Sequence, residues 1–168
     1  KSDELLEAGA LLYKELNKLG IDNLTTGYVL FNADAKIGYS YGVNPVDGSI
    51  RDFPVEMPHN ETSIMKSIVK SWKNEEPSLI IELNEKETIK HQTFIAERSK
   101  NFPISAEKLL AISPDRLKIH TFNFKQGYLL LIGSKLLTEA EQKLVVRFAK
   151  VFEQTYTRFL DLQKAEKQ

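Results

Sequence analysis

Histidine is the residue type in this chain best suited to move protons or bind a metal, because the sequence contains no cysteine. The three histidines, His59, His91 and His120, are far apart and fall in different predicted elements. Metal sites use ligand pairs at helical or strand spacing, and these histidines form no such pair. A lone strand histidine such as His120 is more often a structural residue than a ligand or a general base. The sequence therefore predicts no metal site and no catalytic histidine.

Other catalytic patterns are missing as well. The segment "GYSYG" at 38–42 contains two glycines, but it lies in an alternating strand, and no GxxxxGK[ST] phosphate-binding motif follows. No nucleophile-elbow pattern occurs, and without cysteine there is no thiol nucleophile. The carboxylates fall mostly on predicted helix surfaces, as Asp3, Glu85 and Glu87 do, and we interpret them as solvated faces. We predict that this chain is not an enzyme.

Charge and composition limit the classes of protein to consider. The 168 residues include 23 Lys and Arg against 23 Asp and Glu, so the formal net charge is +0 and nothing favours a nucleic-acid partner. The longest apolar run, 129–132, is far too short for a membrane span. No signal peptide is visible and the first residue is Lys1, from which we expect a cytoplasmic fragment of a longer polypeptide. A hydrophobic content of 42% predicts a single domain over 1–168.

The periodicity of apolar residues predicts helices and strands joined mostly by short connections. In chain order these are a helix over 3–19, strands over 25–31, 37–43 and 49–57, a helix over 61–73, a strand over 78–83, helices over 84–99 and 106–111, a two-stranded hairpin within 116–134, and a closing helix from 138. Asn60 and Asn84 are predicted helix caps, and Thr138 with Glu141 is a predicted capping box. This order predicts an α+β fold around a central antiparallel sheet of about five or six strands.

Several segments resemble the GAF domain, a small-ligand sensor module of signalling proteins. These segments are the strand "GYVLFN", the hairpin from "YSYGVN" to "FPVEM", and "SWKNEEPSLIIEL" as a helix, turn and short strand. The stretch from "FNFKQGYLLLIGS" into the last helix is similar to the closing hairpin and exit helix of a GAF-like subgroup. In that subgroup the module precedes the output domains of bacterial sensor histidine kinases and nucleotide cyclases.

The resemblance implies an arrangement and a role. The terminal helices, 1–20 and 138–168, would lie on one face of the sheet as dimerisation and signalling helices, with helices and loops on the other face. The module would act in the cytoplasm in signal transduction, for example in a two-component system, and pass a signal to an output domain of the same parent chain. The ligand is unknown, since the Asn-Lys-Phe-Asp-Glu motif of cyclic-nucleotide-binding members is absent and a covalently held bilin needs a cysteine. A haem would need an axial ligand, for which His91 and His120 are weak candidates.

A ligand pocket, if the domain has one, is predicted between the sheet and the 60–99 region. Such sites are mostly apolar with a few polar groups. The candidate lining residues are the large aromatic and histidine side chains of the central strands and covering helices: Tyr39, Tyr41, Trp72, Phe94, His120 and Phe122. The alternative is that each of these residues fills the core, with the tyrosine hydroxyls and His120 finding partners at its edge.

The closing helix contains apolar residues at alternating spacings of three and four, which is typical of a coiled-coil seam. The seam consists of Val145, Phe148, Phe152, Thr155, Phe159 and Leu162. With a similar stripe in the opening helix, it predicts a parallel homodimer. The alternative is a long core helix with a frayed end.

Two functions from different classes remain open from the sequence. The first is a sensor in which the strand over 128–132 leads directly into the exit helix, so that a change in strand packing shifts that helix. The second is a dimerisation or interaction module without a small ligand. A free-standing small enzyme is the least favoured alternative, because no catalytic set was found.

Overall fold

The computed structural model describes residues 14, 15, 17, 18, 25–42, 51 and 53–167. Within them the strands are β1 (Thr25–Phe31), β2 (Ile37–Gly42), β3 (Val55–Pro58), β4 (Ser78–Glu82), β5 (Lys118–Phe124) and β6 (Gly127–Gly133). They form one six-stranded sheet in the order β3-β2-β1-β6-β5-β4, and every neighbouring pair is antiparallel. The predicted α+β fold with a central antiparallel sheet is confirmed.

Four helices lie within the same residues: α1 (Ser63–Lys73), α2 (Glu85–Arg98), α3 (Ala106–Ile112) and α4 (Glu139–Glu166). Helix α4 packs on one face of the sheet, which we call the α4 face. Helices α1 and α2 pack on the opposite face, which we call the α2 face. In the described part of the chain, no helix combines the length and the apolar character needed to cross a bilayer.

The sheet separates two hydrophobic clusters. The cluster on the α4 face consists of Tyr28, Leu30, Phe122, Phe124, Leu129, Leu131, Leu137, Val145, Ala149 and Phe152. The cluster on the α2 face consists of Val29, Val55, Met57, Met65, Ile68, Ile95 and Tyr128. Strand β1 therefore contributes to both clusters, as the sequence predicts for a central strand with apolar residues on both sides.

Strand β2 alternates between tyrosines and very small residues. Tyr39 and Tyr41 face one way and are half-buried, whereas Gly38 and Ser40 are buried against the α2 face. Gly38 is required by close packing, because a Cβ there would clash with the imidazole of His59 and lie 2.6 Å from Val29 Cγ1. The predicted alternation is confirmed, and its small residues leave room under the helices.

Two predicted helix starts are confirmed by their hydrogen bonds. Asn84 Oδ1 accepts from the Glu87 N–H at 2.8 Å, and Thr138 Oγ1 accepts from the Glu141 N–H at 3.1 Å. In both capping boxes the glutamate side chain accepts the backbone N–H of the cap in return. These boxes fix where α2 and α4 begin.

Two other boundaries differ from the prediction. Helix α1 is capped by Thr62 rather than Asn60, because the Thr62 Oγ1 accepts from the Met65 N–H at 3.2 Å. Strand β3 begins at Val55, later than predicted, and includes Pro58 as its last residue. Proline is tolerated there because β3 is an edge strand, and the backbone N–H groups on its outer side donate no hydrogen bond to another strand.

Most of the predicted opening helix lies outside the described residues. Only residues 14, 15, 17 and 18 of it are described, and these four have helical backbone. The predicted strand end at 43 and the start of the third strand at 49 and 50 also lie outside them.

Candidate ligand site

The six predicted pocket residues lie on two different faces of the sheet. Register pairs place Tyr39 and Tyr41 opposite Leu30 and Tyr28, and Tyr41 packs against the α4-face cluster that contains Phe122. His120 shares that face, since it is two residues before Phe122 in β5. Trp72 and Phe94 belong to α1 and α2 on the opposite side. The structure therefore does not bring the six together around one cavity.

The two candidates on the α2 side have structural contacts of their own. Trp72 Nε1 donates to the Phe124 carbonyl oxygen at 2.9 Å, and its ring packs against Phe31 with centroids 4.6 Å apart. Phe94 packs half-buried against the α2-face cluster. Tyr41 is likewise stacked on Tyr28, with centroids 5.1 Å apart. These contacts agree with the alternative in which aromatic residues fill the core.

Two small cavities lie between the sheet and the covering helices, in the region where a pocket is predicted. The first has a volume of about 70 Å³ and reaches Ser40 and Arg51, and the second has a volume of about 50 Å³ and reaches His91. They adjoin, since they share five lining residues: Met57, Gln92, Ile95, Leu130 and Ile132. Neither is lined by any of the six predicted residues.

Arg51 is the charged residue at the first cavity. Its Nε donates weakly to the Gly42 carbonyl oxygen at 3.4 Å, and its backbone N–H donates to the same oxygen at 3.3 Å. None of the ion pairs formed among the described residues includes Arg51. Burial lowers the pKa of its guanidinium, which remains charged because that pKa starts far above neutrality. A partly desolvated cation thus faces a mostly apolar space, whose polar lining residues include Ser40 and Gln92.

His91 is the histidine that lines the second cavity. Its side chain is only 6% exposed, and among the described residues its Nδ1 atom has no hydrogen-bond partner. Burial lowers the pKa of His91 to about 4, so the ring is neutral at physiological pH. A buried polar atom without a partner is uncommon in folded proteins.

Gln92 lines both cavities and its side chain is held by a hydrogen bond. Its Nε2 donates to Ser113 Oγ at 2.9 Å, and Ser113 Oγ donates to the Leu109 carbonyl oxygen at 2.6 Å. This chain of bonds ties α2 to α3, which closes the first cavity through Leu109. The wall of the site is therefore preformed.

Among the described residues, few ionisable groups line the two cavities. A catalytic histidine normally has a partner that orients its ring, and His91 Nδ1 has none among the described residues. Within the same residues, no group of three or more His, Cys, Asp or Glu side chains converges as a metal site would require. What the site offers is one cation, one neutral imidazole and an apolar wall.

Sequence reasoning missed Arg51, Ser40 and Gln92 as lining residues. A usable signal was present in β2, where the residues that alternate with the tyrosines, Gly38 and Ser40, are small and share the face covered by α1 and α2. Small residues on a covered face leave space that the helices must fill or leave open.

The predicted seam residues of α4 are divided between the sheet and solvent. Val145 and Phe152 are buried in the α4-face cluster, and Phe148 and Phe159 pack half-buried against it. Thr155 and Leu162 are exposed. The stripe that packs on the sheet also contains three residues outside the seam, Val146, Ala149 and Tyr156.

Comparison of the chain with protein-family models, with curated proteins and with solved structures gives no match in any of the three.

Proposed function

We propose that this chain is a GAF-like sensor module, in which occupancy of the small cavities on the α2 face is converted into a change at helix α4. The observation on which the proposal rests is the position of β6. Leu130 and Ile132 line both cavities, whereas Leu129 and Leu131 pack in the α4-face cluster. Because side chains alternate along a strand, one strand contacts the site on one face and α4 on the other.

A second link joins the sheet to the start of α4. The Leu137 N–H donates to His120 Nε2 at 3.2 Å, and Leu137 immediately precedes the cap residue Thr138. His120 lies directly opposite Leu131 in the β5–β6 register. A displacement of β6 therefore reaches the first turn of α4 through one neighbouring strand and one hydrogen bond.

The length of α4 supports an output role. Its 28 residues span about 42 Å, and its last buried residue is Phe152. Leu162, near the end, is 57% exposed. We propose that this end joins a partner helix in a homodimer and an output domain, of the histidine-kinase or nucleotide-cyclase type, in the parent chain. A cytoplasmic location belongs to the same proposal.

The alternative function, a dimerisation module without a ligand, has support of its own. Val151 and Leu162 are apolar and more than half exposed on α4, at 59% and 57%. Exposed apolar residues on a helix favour burial against another chain whether or not a ligand binds. The experiment below separates the two.

The sensor function is tested with a reporter on α4. Since the chain has no cysteine, Gln154→Cys places a single ¹⁹F label on an exposed position of α4. We expect at least one molecule from a panel of small neutral and acidic compounds to raise the melting temperature and shift the ¹⁹F signal. A specific ligand stabilises the folded chain by RT ln(1 + [L]/Kd).

Ser40→Val provides the control, because it adds an isopropyl group to the wall of the first cavity and should abolish both responses. Ser63→Val, at an exposed position in the first turn of α1, should leave both intact. If no compound stabilises the chain, or binding leaves the α4 signal unmoved, the sensor function is wrong and the ligand-free module is favoured.

A further inference from the structure

We infer that the ligand of the first cavity is a short-chain carboxylate whose anionic group is bound by Arg51; this inference rests on the sensor function proposed above. Among the described residues that line the two cavities, Arg51 alone is charged at neutral pH. The other ionisable lining groups are His91 and Tyr128, which burial holds neutral. The site thus combines one cation with lining residues that are mostly apolar and otherwise uncharged.

The guanidinium of Arg51 has donors available for an anion. Arginine has five N–H donors in a planar fork, and only the Nε donor of Arg51 is bonded among the described residues. The Nη1 and Nη2 groups form the end of the fork that binds a carboxylate through two parallel hydrogen bonds. The Nη2 atom lies close to Gly42, since a Cβ on that residue would be 3.4 Å away, at ordinary van der Waals distance. The cation lies against β2, at the edge of the cavity.

Arg51 is partly buried and forms no ion pair among the described residues, which gives it a reason to bind an anion. A cation removed from water loses hydration, and this loss is offset when a carboxylate bonds to it in the same low-dielectric space. A neutral ligand of the same shape offers no such offset. The preference for an anion over a neutral isostere should therefore be large.

The size of the cavity limits the ligand. An engineered cavity of about 150 Å³ holds one benzene molecule. The first cavity measures about 70 Å³ and the adjoining one about 50 Å³. Together they fit a molecule of about four or five non-hydrogen atoms on that scale, with two or three carbons against Val55, Ile95 and Leu130.

The unpartnered Nδ1 of His91 is the independent sign that this space is a binding site. His91 lines the second cavity, and its buried Nδ1 atom has no hydrogen-bond partner among the described residues. Water or a ligand at the second cavity would satisfy it. The two cavities then act as one site, with a cation at one end and a neutral imidazole at the other.

The test compares propionate with propionamide, which have nearly the same shape and differ in charge. Binding to the whole chain is measured by calorimetry and thermal melting at constant ionic strength, with sodium chloride as the anion control. We expect propionate to bind at least about tenfold more tightly than propionamide, and chloride to give no comparable stabilisation.

Two substitutions of Arg51 complete the test. Arg51→Gln should weaken propionate binding by about tenfold to a hundredfold, and Arg51→Lys, which keeps the charge without the fork, should give an intermediate loss. Circular dichroism melts without ligand establish that each variant is folded. Ser40→Val keeps Arg51 but fills the cavity, and it should also abolish propionate binding. This variant replaces the arginine variants in the test if either of them is unfolded.

The outcomes distinguish this inference from the sensor function. Three outcomes would each overturn the carboxylate assignment. They are equal affinity for propionate and propionamide, unchanged propionate affinity in Arg51→Gln, and stabilisation by chloride equal to that by propionate. In each of those cases a neutral compound that binds and moves the α4 label leaves the sensor function in place. If no small molecule binds at all, both are wrong.

Discussion

The three histidines of the chain are all buried, and in each of them burial lowers the pKa. His59 Nδ1 must donate to the Met57 carbonyl oxygen at 2.9 Å, so its Nε2 accepts from the Tyr128 hydroxyl at 2.8 Å. His120 Nε2 also accepts, from the Leu137 N–H. Both rings are therefore structural hydrogen-bond acceptors that depend on the neutral form, and protonation would remove the acceptor.

This dependence predicts a loss of stability in mild acid. The folded-state pKa values of His59 and His91 are about 4, below the value of about 6.5 expected in the unfolded chain. Between these values the unfolded chain binds more protons, so the free energy of unfolding falls as the pH decreases from 6.5 towards 4. The slope of the free energy of unfolding against pH should approach about 1.4 kcal/mol per pH unit for each histidine.

Urea unfolding at pH 7, 6 and 5 measures this slope in a range where most carboxylates stay ionised. His91→Gln removes one of the titrating groups and should make the slope clearly shallower. Lys90→Gln, at the exposed neighbouring position, should leave it unchanged. A pH-independent stability, or equal slopes in the two variants, would contradict the assignment.

At the scale of the element, α4 is one helix with two environments. Its first part is fixed by the capping box at Thr138 and packs on the sheet through Val145, Ala149 and Phe152. From Asp161 onwards every described residue of α4 is exposed. A helix has a period of 3.6 residues, whereas the seam repeats every 3.5 residues, so the seam gradually shifts around the surface of the helix. The sheet therefore covers only some of the seam residues.

Two alanine substitutions in the predicted seam should therefore have different effects. Phe152→Ala empties a buried position between Tyr28 and Phe124 and should lower the free energy of unfolding by about 3–5 kcal/mol. Leu162→Ala removes an exposed side chain and should change the free energy of unfolding of the monomer by no more than about 0.5 kcal/mol. Urea unfolding at low protein concentration checks both. Equal losses would mean that the far end of α4 is also packed in the monomer.

At the scale of the whole molecule, the proposed homodimer forms through the part of α4 that does not pack on the sheet. Phe159 is not suited to test it, because this side chain packs half-buried against the α4-face cluster, and a charge there would destabilise the monomer as well. Leu162 is the better position, since it belongs to the predicted seam and is exposed.

We expect the chain to be a dimer in light scattering at high micromolar concentration, and Leu162→Glu to weaken self-association. The glutamate would have to be buried without a partner between two helices. Gln154→Glu adds the same charge to another exposed position of α4 and should leave association intact. A wild-type chain that is monomeric at this concentration would refute the homodimer, as would a dimer that Leu162→Glu does not weaken.

The sequence by itself determined the features that depend on neighbouring residues. Strand β1 has the predicted bounds, and the caps at Asn84 and Thr138 are those predicted. Alternation in β2 was also readable, because side chains of a strand point to opposite faces whatever lies above them. These local signals were enough to predict an α+β fold with an antiparallel sheet.

The tertiary structure decided which side chains meet. Local patterns separate the two faces of a strand but do not say which helix covers each face, and so Tyr41 and Trp72 were grouped although the sheet lies between them. The bond between His59 and Tyr128 joins residues 69 positions apart and has no local signature. Arg51 likewise became a site residue only when pairing of β1, β2 and β6 enclosed a space beside it, because a cavity belongs to the packing of distant segments and not to any one of them.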